Sequence, residues 1–198
     1  MYNRIKRYAL EVSLLKKIWK EIQGWGIAVI IGFVLSLFIG IFVIQPYKVD
    51  GHSMEPTLND NQRIYAWKVR HALDKLPEYG DIVIIDSRVD RERSFMDDLK
   101  EHPLINLLSG TGDEEIFYVK RVIGLPGDTV EVRNGHVYRN GEELHEPYIK
   151  EQMESGMDQV WEIPEDHIFV MGDNRNNSND SRSIGPVPQD HVMGIDSF

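Results

Sequence analysis

The sequence contains no cysteine among its 198 residues. A chain without cysteine cannot form disulfide bonds, a cysteine-ligated zinc site or an iron–sulfur cluster, and it has no thiol nucleophile. Its seven histidines show no paired metal-binding spacing such as HExxH. The sequence therefore predicts no metal site and no cofactor.

Net positive charge is absent outside the N-terminal segment. Residues 1–44 carry six basic and two acidic side chains, a balance of +4. Because the whole chain has a net charge of −10, residues 45–198 must carry a balance of −14. A domain this acidic is repelled by phosphate backbones, so the sequence predicts no nucleic-acid partner. The length suits one ordinary domain with appendages, and a hydrophobic content of 41% excludes a disordered chain.

Long apolar runs are also absent, except for residues 24–44, GWGIAVIIGFVLSLFIGIFVI. This run carries no charge, and a helix of its 21 residues spans about 31 Å, the thickness of a bilayer core. The alternatives are a buried soluble helix, which rarely reaches roughly 18 uncharged residues, and a cleavable signal peptide. The run ends in Phe-Val-Ile-Gln-Pro-Tyr, without a small-x-small cleavage site. The sequence thus predicts one retained transmembrane anchor.

The basic excess before the anchor predicts the orientation of the anchor in the membrane. Residues 1–23 are expected in the cytoplasm and residues 45–198 outside the inner leaflet. Within residues 1–23, apolar side chains recur at three- and four-residue spacing with lysines between them. This pattern is typical of a basic amphipathic segment on an anionic lipid surface, but a simple helical extension of the anchor fits equally well.

Beyond the anchor, the pattern changes to short alternating segments that are rich in β-branched and aromatic residues. Strands are predicted at residues 63–69, 81–85, 116–123, 130–132, 136–138 and 168–171. Asn134-Gly135 and Asn140-Gly141 suit type I′ turns, which indicates a tight antiparallel meander. The predicted fold is mainly β, an antiparallel β-sheet domain at residues 45–198 behind a single N-terminal transmembrane helix. Residues 87–115 depart from the alternation and favour a short helix after Pro103.

Two polar clusters lie in predicted loops. Residues 51–57, GHSMEPT, place Ser53 between a glycine and a proline, where it is either an exposed nucleophile or a turn residue. Residues 172–182, GDNRNNSNDSR, contain acids, amides, hydroxyls and two arginines but no apolar side chain. This second cluster does not fit a calcium loop, because Arg175 occupies a ligand position and the bidentate glutamate is missing.

A third cluster, YVKRVIGLPGD at residues 118–128, has two charges within an apolar strand. Alternation along a strand turns either Lys120 or Arg121 toward the core. A buried lysine is unfavourable unless it is paired or neutral, and a neutral amine is a base. The alternative is a lysine on an edge strand that extends its amine into solvent.

The three clusters, in this order behind an anchor, resemble the type I signal peptidases (leader peptidases) of bacteria. The resemblance implies a catalytic domain with a Ser-Lys dyad, in which Ser53 is the acyl-forming nucleophile and Lys120 its general base. It also implies that Ser178 orients the lysine amine. The positions that match a supporting polar network are Asp173, Asp180, Arg182 and Arg121. The implied substrates are secretory preproteins, whose signal peptides are removed beside the membrane lipid, with the export machinery as a candidate partner.

The chain departs from that family at two places. Some members have a serine two residues before the nucleophile that assists the oxyanion hole, but this chain has Gly51. The Ser53 amide is then the expected oxyanion donor. Many members also continue into an aromatic-rich terminal strand, whereas this chain stops at Phe198, so a shortened closing strand is expected.

Two other functional classes fit the sequence less well. A membrane-anchored binding protein would not need an apolar-flanked lysine, so the combination of Ser53, Lys120 and Ser178 argues against it. A self-cleaving repressor with a Ser-Lys dyad would need a DNA-binding module, which the acidic balance and the anchor exclude.

Overall fold

The computed structural model describes residues 2–68, 77–94, 96–97, 117–156 and 158–196. The chain divides into two compact units, Met1–Ile39 and Gly40–Phe198. The short helix predicted after Pro103 lies outside the described residues.

The first unit is built on one long helix, α1 (Tyr2–Phe42). Its part Leu14–Gly40 has a mean hydropathy of 2.2 and is long and apolar enough to cross a membrane. The helix is uninterrupted at residue 23, so the basic segment and the apolar run belong to one helix. It ends before the predicted boundary at residue 44, because Ile44 already pairs with Trp67 in a β-ladder.

The second unit contains two antiparallel sheets. The strands are β1 (Ile44–Lys48), β2 (Arg63–Trp67), β3 (Ile82–Asp86), β4 (Phe117–Gly124), β5 (Thr129–Arg133), β6 (His136–Arg139), β7 (Glu142–Glu143), β8 (Gln159–Glu162), β9 (His167–Met171), β10 (Val187–Pro188) and β11 (Val192–Asp196). A single-turn helix, α2 (Ser181–Ile184), follows β9. The large sheet has the order β1-β2-β11-β3-β4-β9-β10, and the small sheet has the order β7-β6-β5-β8. The mainly β, antiparallel prediction is confirmed, although the division into two sheets was not predicted.

Both predicted Asn-Gly turns are present in the small sheet. Asn134 and Asn140 have φ angles of 52° and 54°, and each is followed by a glycine that also has a positive φ. These turns connect β5 to β6 and β6 to β7, as the sequence predicted. Val130, Val132 and Val137 of this sheet form one apolar cluster with Phe169 and Met171 of β9, so the two sheets share a core.

The inner strand β4, which lies between β3 and β9, carries the Lys120-Arg121 pair. Residues Phe117–Arg121 of β4 pair with β3, and residues Arg121–Gly124 of β4 pair with β9. The chain leaves the sheet after Met171, at the end of β9, and enters the polar residues 172–182. These residues therefore begin beside the middle of β4.

The last strand, β11, lies inside the large sheet rather than at an edge. It pairs with β2 through Ile195 and Asp196 and with β3 from Val192 to Asp196. The closing strand is thus present, and two of its residues pair with β2.

Candidate active site

The expected nucleophile lies on the loop between β1 and β2, residues 49–62, which is called the serine loop below. Met54 and Leu58 on this loop are 1% and 0% exposed and belong to the apolar core. The Leu58 N–H donates to the Met54 carbonyl over 2.9 Å, which closes a helix-like turn. Burial of these two side chains fixes the turn that presents Ser53.

Polar contacts hold the backbone on both sides of Ser53. Gly51 has a φ of +92°, a conformation that favours glycine, and its N–H donates to Asp60 Oδ1 over 2.9 Å. On the other side, the Asn174 N–H donates to the Ser53 carbonyl over 2.9 Å. The Asn174 side chain donates to the His52 carbonyl over 3.0 Å. The buried Asn174 was not among the predicted site residues, because its partners lie far away in the sequence.

Lys120 meets Ser53 directly. Its Nζ lies 2.8 Å from Ser53 Oγ and donates to the Val119 carbonyl over 3.0 Å. The side chain of Lys120 is buried, with the residue 3% exposed. Burial lowers the pKa of Lys120 to about 8, although the negative charge of Asp180 acts in the opposite direction. Lys120 therefore has far more neutral amine near neutral pH than an exposed lysine has, and this amine lies beside a serine hydroxyl.

Arg121 points away from Lys120 and binds Asp173. Its Nε and Nη2 donate to the two Asp173 carboxylate oxygens over 2.8 and 2.6 Å, and its Nη1 donates to the Gly80 carbonyl over 2.8 Å. Thr57, on the serine loop, donates its hydroxyl to Asp173 Oδ2 over 2.5 Å. Through Thr57, the bidentate Arg121–Asp173 pair thus connects β4 to the serine loop. Thr57 was not predicted as a site residue, although it belongs to the GHSMEPT cluster.

Asp180 is the hub of a second buried network. It accepts hydrogen bonds from Ser178 Oγ over 2.7 Å and from the Gly172 N–H over 3.0 Å. Arg182 donates to both carboxylate oxygens over 2.8 Å. Burial alone would raise the pKa of Asp180, but the hydrogen bonds and charge of Arg182 outweigh burial and lower it. Ser178 donates its hydroxyl proton to Asp180. The Lys120 amine is hydrogen-bonded to Ser53 Oγ and to the Val119 carbonyl.

The histidine next to the serine takes no part in this pairing. His52 Nδ1 lies 2.7 Å from Glu55 Oε1, and its side chain is 56% exposed. Within the described ranges, no group of three or more histidine or carboxylate side chains could hold a metal ion. The arrangement supports acyl transfer by a serine hydroxyl with a buried amine as its base.

Comparisons with known proteins identify similar chains. A family profile described as "Signal peptidase, peptidase S26" matches residues 22–198. Signal peptidase I P of Bacillus subtilis subsp. natto is 34% identical over 196 residues, which cover 92% of each chain. Signal peptidase I of Bacillus licheniformis is 37% identical over 185 residues, which cover 88% of this chain and 86% of that one. A crystal structure of a signal peptidase I from Enterococcus faecalis V583 matches with a TM-score of 0.42 and 30% identity, over 61% of this chain and 97% of that chain.

The profile covers most of the chain, and the two Bacillus relatives are matched over nearly their whole length. The chain belongs to the signal peptidase family, peptidase S26.

Proposed function

We propose that this chain is a membrane-bound serine endopeptidase that removes N-terminal signal peptides from exported preproteins, with Ser53 as nucleophile and Lys120 as general base. The observation that carries the proposal is the 2.8 Å separation between Ser53 Oγ and the buried Lys120 Nζ. Membership in the signal peptidase family supports the substrate class.

In the proposed acylation step, the neutral Lys120 amine accepts the Ser53 hydroxyl proton. Ser53 Oγ attacks the carbonyl carbon of the scissile peptide bond and forms a tetrahedral intermediate. The Ser53 N–H is the proposed donor to the oxyanion, because Gly51 has no hydroxyl to offer there. The intermediate collapses when the Lys120 ammonium returns its proton to the departing amine, which leaves an acyl-enzyme ester on Ser53.

In the proposed deacylation step, Lys120 acts a second time. The neutral amine takes a proton from a water molecule, and the hydroxide attacks the ester carbonyl. Collapse of this second intermediate returns the proton to Ser53 Oγ and releases the signal peptide with a free carboxylate. One buried amine thus serves as base and then acid in each half of the reaction.

Ser178 is proposed to position the Lys120 amine. A hydroxyl that donates its single proton to Asp180 keeps its lone pairs available to an amine N–H. Asp180 and Arg182 would fix the direction of that hydroxyl, and Arg121 with Asp173 would fix the serine loop. We expect Ser178→Ala to lower the cleavage rate by roughly 10²–10³-fold, which is milder than loss of either member of the dyad.

The apolar helix supports a single-pass location in a bacterial cell membrane. In the proposed orientation, residues 1–23 lie in the cytoplasm against anionic lipid, and residues 45–198 act outside the membrane. Substrates held in the same bilayer have a high effective concentration, so the intrinsic affinity of the site need not be strong. External protease on intact cells should digest residues 45–198 and spare residues 1–23, and protection of the large domain would contradict the orientation.

Cleavage of a labelled precursor by the detergent-solubilised full-length protein tests the proposed reaction. Ser53→Ala and Lys120→Ala should each abolish cleavage, and the double variant should be no worse than either single variant, because the two groups act as a unit. Ser183→Ala is the matched control, because Ser183 is exposed on α2. Near-normal cleavage by either single variant would contradict the dyad.

A further inference from the structure

The segment that follows β7, residues 146–154, runs alongside the polar residues 172–176 without forming a strand or an α-helix. Glu146 accepts two hydrogen bonds from the Arg175 guanidinium, over 2.7 and 2.6 Å. The Lys150 N–H donates to the Asp173 carbonyl over 3.0 Å. This segment, called the strap below, is thus attached to the loop that contacts Ser53.

Two side chains of the strap extend to groups beside the proposed dyad. The Tyr148 ring lies against Arg121, with the guanidinium carbon 4.1 Å from the ring centroid. Burial raises the pKa of Tyr148, so the ring stays a neutral phenol. The Lys150 amine lies 2.8 Å from Glu55 Oε2, and Glu55 is two residues after Ser53. The strap therefore contacts both the partner of Asp173 and the serine loop.

The two members of the proposed dyad are held in different ways. Lys120 belongs to β4, an inner strand of the large sheet, and is paired there with Val83 of β3. Ser53 lies on a loop whose backbone and Thr57 side chain are hydrogen-bonded to the Asp173-Asn174 turn. The strap binds the same turn from another segment of the chain. A disturbed strap would therefore move the serine relative to a fixed lysine.

We propose that residues 146–154 are a positioning strap for Ser53, with Tyr148 and Lys150 as positioning residues. Tyr148 holds the Arg121 guanidinium in the plane that binds Asp173, and Lys150 holds the serine loop through Glu55. The strap rests on the proposed function, because it places the serine for that reaction. A misplacement of a reacting group by about 1 Å can lower a rate by roughly 10²-fold without any change in the reacting residues.

The main test replaces Tyr148 in the full-length protein and measures kcat and KM on a peptide that spans a signal-peptide cleavage site. Tyr148→Leu should lower kcat by about 10–100-fold and change KM by less than about 3-fold. Tyr148→Phe keeps the ring and should stay within about 3-fold of wild type. The matched control is Tyr138→Leu, because Tyr138 also stacks on an arginine, Arg133 at 4.2 Å, in the small sheet. Its kcat should not change.

A second arm uses the exposed Lys150–Glu55 pair, whose loss should not unfold the protein. Lys150→Met should lower kcat by about 2–5-fold at low salt, and the difference should shrink at high salt, because exposed ion pairs are weak and screened. The charge exchange Glu55→Lys with Lys150→Glu should restore most of the loss.

The positioning role of the strap would be overturned if Tyr148→Leu kept the wild-type kcat. It would also be overturned if Tyr148→Leu and Tyr138→Leu lost kcat equally. If Tyr148→Leu does not fold, an unchanged kcat in Lys150→Met would overturn it. The rate of Ser53 acylation by a p-nitrophenyl ester, followed by mass spectrometry, separates this failure from failure of the proposed function. If the wild type acylates Ser53 but does not cleave the precursor peptide, the proposed substrate class is wrong. The acylation rates of the variants with the ester then test the positioning role of the strap.

Discussion

The burial of Lys120 sets the pH range over which the proposed reaction can proceed. An exposed lysine with its ordinary pKa of 10.5 would be neutral in only about 0.03% of molecules at pH 7. A pKa of about 8 raises that fraction to about 10%, which is roughly 300-fold more base. The rate should therefore rise about tenfold between pH 6 and pH 7 and reach a plateau above about pH 9.

Asp180→Asn provides a perturbation whose sign follows from the structure. The negative charge of Asp180 favours the ammonium form of Lys120, whereas Arg182 disfavours it. Removal of the Asp180 charge should lower the pKa of Lys120 further, because the effect of Arg182 is larger than the remaining opposite effect of Asp173. The midpoint of the pH–rate profile should move to lower pH, even if the height of the plateau falls through loss of the Ser178 contact.

The assay is kcat/KM on one peptide substrate from pH 5.5 to pH 10, under conditions where chemistry is shown to be rate-limiting. Wild type should give a single rising limb with a midpoint near 8. A flat profile, or a midpoint near the ordinary lysine pKa of 10.5, would refute the role of burial. A midpoint that moves upward in Asp180→Asn would refute the electrostatic assignment.

Three further substitutions test other parts of the structure. Lys120→Met should inactivate the protein but raise its free energy of unfolding by roughly 2–3 kcal/mol at pH 7, because the lowered pKa makes the buried ammonium unfavourable below about pH 8. That gain should shrink as the pH rises toward 10.5, which urea unfolding at several pH values can measure. Gly172→Ala should lower kcat by roughly 10²-fold in the peptide assay, because the added Cβ would lie against Ser178 Oγ and 2.5 Å from the Ser53 carbonyl oxygen. Gly124→Ala should leave the pH midpoint unchanged but lower the unfolding free energy by about 1–3 kcal/mol, because its Cβ would collide with the core shared by the two sheets. An unaltered urea midpoint in Gly124→Ala would contradict this account of the core.

Local patterns were sufficient for much of the fold. Alternation marked β4, and the Asn134-Gly135 and Asn140-Gly141 pairs marked two hairpins, because strand period and turn chemistry depend on neighbouring residues. Alternation could not decide whether Lys120 or Arg121 is the buried base, since both lie on the same strand and face opposite sides. In the structure both are largely covered, and only Lys120 meets Ser53.

The supporting contacts depend on long-range folding that no local pattern reveals. Thr57 and Asp173 are 116 positions apart, and the Asn174 side chain meets a carbonyl 122 positions away. Tyr148 lies in a segment without strand or helix periodicity, so no local pattern indicated that its ring lies against Arg121. Such contacts follow from the order of strands in the sheet, which the sequence pattern did not predict.

The internal position of β11 affects when during synthesis the catalytic site can form. The serine loop joins β1 to β2, and β2 reaches the rest of the large sheet through β11. Residues 192–196 are synthesised after every other strand, so the β1–β2 hairpin gains its strand neighbour in the large sheet last. Before that point, side-chain contacts such as those of Met54 and Leu58 in the apolar core hold the serine loop against β3 in place of a continuous sheet. Synthesis therefore completes the backbone link between the Ser53 hairpin and the Lys120 strand after most of the side chains around them have been made.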